Sequence, residues 1–127
     1  KKNMALILVS HDIGVIAENC DDILVMYAGK CVEQGKCSVI LKSPKHPYTK
    51  GLLDCLPQTH EGFSDWRQPL PSIPGIVPNA FDRPKGCVLE PRCSRRMDKC
   101  KTEVPTNTSI DDQTYSCFNP MEEVHHV

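Results

Sequence analysis

The sequence predicts an α/β chain whose first third holds the apolar core and whose last third needs something other than apolar burial to hold it. Three observations lead there. Ala5-Leu6-Ile7-Leu8-Val9 is an unbroken apolar run of strand length. Asp22–Tyr27 and Lys30–Gln34 flank Ala28-Gly29 at hairpin spacing. Most of the 11 prolines, and four of the 8 cysteines, fall in a second half with few long apolar stretches.

The apolar run reads as a parallel strand buried on both faces, ending at Ser10-His11-Asp12. Ligands bind at the C-terminal ends of such strands, so His11 stands where chemistry is commonly placed. The structural alternative is a strand-end histidine that caps the following turn. Asp12 is suited to cap a short helix through Asn19, with Ile13, Ile16 and Ala17 on one face. A lone parallel-type strand needs hydrogen-bonding neighbours that these residues do not supply, so the chain reads as truncated at its N-terminus. Further helices are expected over Ser38–Lys42 and, after Ser43-Pro44-Lys45-His46-Pro47, over Tyr48–Cys55, closed by Pro57. Gln58 to Asp65 is polar and linker-like, and Pro69, Pro71, Pro74, Pro78 and Pro84 impose extended backbone; there is no internal repeat.

Fifteen basic against sixteen acidic residues give a net charge of −1, which argues against bulk attraction to nucleic acid or an anionic membrane. No apolar run approaches the roughly 18 residues of a spanning helix, and Lys1-Lys2-Asn3-Met4 leads into the first strand without a cleavage site. Eight cysteines would suggest disulfides in a secreted chain; without a signal peptide, metal binding is the better reading. Cys20, Cys31, Cys37 and Cys55 are scattered and expected to pack as small apolar residues. Cys87, Cys93, Cys100 and Cys117 share one polar segment in the pattern C-x5-C-x6-C-x16-C. Four thiolates suffice for a tetrahedral zinc or for an iron–sulfur cluster, and the wide loops favour the cluster modestly, since structural zinc sites use tighter cysteine pairs. Arg92, Arg95, Arg96, Lys99 and Lys101 flank the middle ligands and are suited to offset a cluster's negative charge, or else to form a solvated basic face. His46 reads as a helix-start residue, His60 lies in the linker, and His125-His126 sit near the C-terminus.

Taken together, these motifs resemble one family, the ATP-binding subunits of oligopeptide, dipeptide and nickel ABC importers. Ser10-His11-Asp12, Val25-Met26-Tyr27-Ala28-Gly29-Lys30 and Val32-Glu33-Gln34-Gly35 look like its switch-histidine loop and following hairpin. His46-Pro47-Tyr48-Thr49 resembles its His-Pro-Tyr-Thr segment, while Pro74-Gly75-Ile76-Val77-Pro78, Pro84-Lys85-Gly86-Cys87 and Pro91-Arg92-Cys93 resemble its C-terminal extension. The resemblance implies the C-terminal piece of a RecA-like ABC ATPase core over residues 1–36, a helical connector over 37–67 and a metal-stapled four-cysteine extension over 68–127. It implies ATP and Mg²⁺ in the intact subunit, with His11 on the γ-phosphate, and an iron–sulfur cluster, 4Fe–4S, on Cys87, Cys93, Cys100 and Cys117, with zinc as the alternative. It further implies a second ATP-binding subunit and transmembrane permease subunits as partners, and a cytoplasmic place, peripheral on the inner face of the membrane.

This sequence departs from the family's pattern at two places. Leu89 stands where an aromatic is common, and Gln113-Thr114-Tyr115-Ser116-Cys117 lacks a histidine usual before the last cysteine. The sequence also contains no phosphate loop, no Asp-Glu pair closing an apolar strand and no ABC signature loop, so these residues alone are not expected to turn over ATP. The competing readings are a free-standing four-cysteine metal-binding interaction module and a nucleic-acid-binding zinc module, the latter disfavoured by few stacking aromatics.

Overall fold

The computed structural model describes residues 3–56 and 72–122. Pro57, the Gln58 to Asp65 linker with His60, Pro69, Pro71 and His125-His126 lie outside the described residues. The architecture is a small α/β fold, with three short helices and one four-stranded antiparallel sheet among the described residues.

Helix α1, Ile13–Asn19, starts where Asp12 Oδ1 accepts from the backbone N–H groups of Gly14 (2.9 Å) and Val15 (3.3 Å), two donors that a helix start otherwise leaves open. Ile13 and Ile16 are buried as the spacing predicts, but Ala17 is exposed. Strand β1, Asp22–Tyr27, alternates strictly, with Ile23, Val25 and Tyr27 inward and Leu24 and Met26 outward. Strand β2, Lys30–Lys36, returns antiparallel through a two-residue turn in which Ala28 (φ 48°) and Gly29 (φ 77°) are both left-handed. That geometry matches strand twist and is why glycine stands at the second position.

Helix α2, Cys37–Lys42, packs on the hairpin through Cys37 and Ile40, and helix α3, Pro47–Asp54, adds Leu53 to the same core. Proline at the first position of α3 suits a turn whose N–H would have no helical partner. The C-terminal segment is mostly irregular, with 3-10 turns at Glu90–Arg92 and Asp98–Lys101. It then forms a hairpin that the sequence pattern did not disclose, β3 (Thr108–Ile110) and β4 (Gln113–Tyr115). The sheet order is β1-β2-β4-β3, so the segment bearing Cys117 is hydrogen-bonded to the first hairpin.

One expectation is corrected. Ala5–Val9 is not a buried strand: residues 3–10 form no regular element, and Ile7 and Val9 are each 92% exposed. A strand exists only when a neighbour takes up its N–H and C=O groups, and no described strand pairs with this run. Leu8 alone packs partly against the core.

Candidate functional site

The four clustered cysteines come from three places in the fold. Cys87 precedes the first 3-10 turn, whose tight geometry carries the chain round to Cys93: Glu90 N–H donates to Cys87 O (3.1 Å) and Cys93 N–H to Glu90 O (3.2 Å). Cys100 lies in the second turn and is tied to the first by Cys87 N–H donating to Cys100 O at 2.8 Å. That approach depends on Gly86, where a Cβ would stand 2.2 Å from the Cys100 carbonyl oxygen. Cys117 follows β4 and is delivered by sheet pairing. All four line a single cavity, and all eight cysteines of the chain are free thiols.

Burial pushes the thiols of Cys87 and Cys93 up and that of Cys117 up to about 11, with the neighbouring sulfurs adding to the effect. Backbone hydrogen bonds oppose it, from Leu89 and Glu90 at Cys87, Arg95 at Cys93 and Asn119 at Cys117 (3.3 Å); the Met97 N–H likewise donates to Cys100 Sγ (3.4 Å). Of the five cations expected to surround the site, only Arg95 lines the cavity; it is fixed by donating to Asn119 O (3.2 Å) and Pro120 O (3.1 Å). Arg92 turns away to donate to Pro74 O (2.8 Å), Ile73 O (3.0 Å) and Tyr27 Oη (3.2 Å), a clamp between the extension and β1. Arg96 approaches Glu90 (4.0 Å), Lys99 sits over the Phe118 ring, and Lys101 is exposed. Of the five, Arg95 alone is placed to face the four thiols.

Four convergent thiols with backbone N–H groups aimed at two sulfurs are a donor set suited to a thiophilic metal or cluster. The cavity measures about 10 Å³, close to the smallest that admits a water, and among the described residues no three His, Cys, Asp or Glu side chains are arranged to hold an ion. The ligand types fit such a group, and all four face the same small cavity.

Beneath the cavity runs a polar network that sequence reasoning missed. Glu33, 1% exposed on β2, accepts from Lys45 N–H (2.7 Å), His46 N–H (3.1 Å) and Gln113 Nε2 (2.6 Å). Gln113 also donates to Ser43 O (2.8 Å), so it ties β4 to both the hairpin and the α2–α3 connection. His46 caps α3 by accepting from Tyr48 N–H at Nδ1 (3.1 Å), as its helix-start reading expects, and it lines the thiol cavity. Burial lowers its pKa to about 4, opposed by its hydrogen bond to the Ser116 backbone, so it is a neutral imidazole. Leu89, in the family's aromatic position, is buried in the core. Glutamate in a strand gave no warning of burial; the one available signal was the position of Glu33 beside Val32 in a hairpin followed by polar, proline-bound residues.

His11 lies apart from these groups, exposed in the turn before α1, with Asp12 N–H donating to Ser10 Oγ (3.0 Å) beside it. Capping falls to Asp12 and not to His11. Cys37 is buried and Cys20 and Cys55 are half-buried, as expected of packing residues, but Cys31 is exposed on β2, where an outward position leaves its thiol near Glu33 O (3.7 Å) and Gln34 Oε1 (3.9 Å).

A family model described as "Oligopeptide/dipeptide transporter, C-terminal region" matches residues 32–100, from β2 through the third clustered cysteine. The chain is 43% identical over 124 residues to the dipeptide transport ATP-binding protein DppD of Escherichia coli (strain K12), an overlap covering 97% of this chain and 37% of that protein. It is 42% identical over 123 residues to DppD of Haemophilus influenzae, covering 97% and 36%. To the oligopeptide transport ATP-binding protein OppD of Salmonella typhimurium it is 38% identical over 122 residues, covering 96% and 35%. The chain thus spans little more than a third of the length of these relatives.

Proposed function

This chain belongs to the family of oligopeptide/dipeptide transporter C-terminal regions, and on that premise we propose that it is the C-terminal part of an ATP-binding subunit that powers peptide import by an ABC transporter. The observation that carries the reading is similarity to dipeptide and oligopeptide transport ATP-binding proteins across nearly the whole chain, which a free-standing metal module would not share. Residues 1–36 would then close the ATPase domain, 37–67 connect, and 68–127 form the extension. The subunit would work with a second ATP-binding subunit and permease subunits, peripheral on the cytoplasmic face of the membrane. Among the described residues no helix is long and apolar enough to cross it.

In the intact subunit, with ATP and Mg²⁺ bound, His11 would contact the γ-phosphate. An imidazole can offer one donor and one acceptor with which to hold a phosphate oxygen and orient water. Cys87, Cys93, Cys100 and Cys117 would hold a 4Fe–4S cluster, whose contribution when bound is to cross-link three separate pieces of chain. The wide C-x5-C-x6-C-x16-C spacing supports a cluster over zinc, since structural zinc sites use tighter cysteine pairs. The function is tested in the full-length subunit assembled with its transporter: His11→Ala should cut ATP turnover by roughly 10²-fold or more while nucleotide affinity is kept, as for a group acting mainly in the transition state. Unchanged turnover would return His11 to a structural role.

A further inference from the structure

A second cavity, of about 450 Å³, opens between the turn of the first hairpin and the loop leading into Cys87. Its size falls within the range of small-molecule sites. Lys30, Arg83 and Lys85 line it, together with the Gly86 backbone and the hydrogen-bonded side chains of Ser116 and Asn107. No Asp or Glu is among its lining residues, and none of the three cations forms an ion pair with a described residue. Asp82 adjoins Arg83 in sequence but is not part of the wall.

Three cations without an ion-pair partner among the described residues repel one another around one concave space, an arrangement that a bound anion relieves. The fold fixes two of them. The Arg83 guanidinium lies over Gly29, where a Cβ would stand 3.0 Å from Nη2, so the left-handed turn and the arginine are placed together. Lys85 precedes Gly86, where an added Cβ would stand 2.2 Å from the Cys100 carbonyl oxygen, and Cys87 N–H beyond it donates to that oxygen. A guanidinium and two ammonium groups lining one cavity suit a compact ligand carrying several charges, and phosphate oxygens present that charge more densely than spaced carboxylates.

We propose that this cavity is an anion site for a compact phosphate-bearing ligand, separate from any nucleotide bound near His11. Neither the family match nor the transport reading calls for it, and it stands or falls without them.

The test is calorimetric titration of the full chain with inorganic pyrophosphate, at low ionic strength and at physiological salt. Binding at one site per chain, weakening as salt rises, is expected. Arg83→Gln, Lys30→Gln and Lys85→Gln should each weaken binding about tenfold, as for loss of one charge-assisted contact. Arg83→Lys should retain part of it, and Lys42→Gln, which removes an exposed charge on α2, should change nothing. Displacement of pyrophosphate by phosphatidylglycerol vesicles would make a lipid headgroup the source of the phosphate, and failure to displace it would make the source soluble; both support the site. Absence of saturable binding at millimolar pyrophosphate, equal binding by the three glutamine variants, or tighter binding of citrate would overturn it.

Discussion

Replacing Glu33 with alanine should destabilise the protein more than any comparable change on the sheet. Three N–H donors, from Lys45, His46 and Gln113, converge on its carboxylate at 2.6 to 3.1 Å in a place that is 1% exposed. A buried donor stripped of its acceptor costs about 1–3 kcal/mol, and water entering the vacated space would recover some of this. The expected loss for Glu33→Ala is therefore about 3–5 kcal/mol, a large share of a small domain's stability. Glu33→Gln keeps one carbonyl oxygen for Lys45 and Gln113 but turns an amide toward the His46 N–H, so about 1–3 kcal/mol should be lost. Urea unfolding followed by far-UV circular dichroism gives both values, and amide hydrogen exchange at Lys45 and His46 should accelerate in step. A Glu33→Ala protein within about 0.5 kcal/mol of the parent, or a glutamine variant weaker than the alanine one, would refute the reasoning.

The buried His46 makes a pH prediction. Its folded pKa of about 4 lies below the ordinary 6.5, so the unfolded chain binds a proton first and the contribution present above pH 6.5 is lost as pH falls toward 4. The loss should approach about 3 kcal/mol, and His46→Asn, which keeps a capping acceptor, should remove that slope from the acid-unfolding curve; an unaltered slope would count against it. Gly86→Ala should separate the Cys87 and Cys100 turns, because the added Cβ meets backbone at 2.2 Å, and metal content after purification should drop while the α1–β2 core melts as before. Anaerobically purified chain should absorb near ~400 nm with about four irons. Serine at Cys87, Cys93, Cys100 or Cys117 should each abolish that colour, and serine at Cys20, Cys31, Cys37 or Cys55 should not. One zinc per chain would replace the cluster but keep the site, and four freely reacting thiols with no metal would remove it.

Local chemistry that acts over a few residues was written plainly in the sequence. Asp12 caps α1, Ala28-Gly29 makes the hairpin turn, and Pro47 starts α3, because each depends only on the φ/ψ preferences and hydrogen bonds of neighbours. The spacing of Cys87, Cys93, Cys100 and Cys117 likewise set one group apart from four scattered thiols, and the structure gathers that group at one cavity. What the sequence could not decide depends on partners distant in the chain. The apolar run Ala5–Val9 has strand composition, yet a strand is a relation between segments, and no described segment pairs with it. Thr108–Ile110 and Gln113–Tyr115 have no comparable composition and are strands because β2 supplies an edge. The burial of Glu33, the diversion of Arg92 to Tyr27 and the sharing of one cavity by Lys30, Arg83 and Lys85 were equally beyond local reading. Each joins residues far apart in sequence, which only the folded chain brings together.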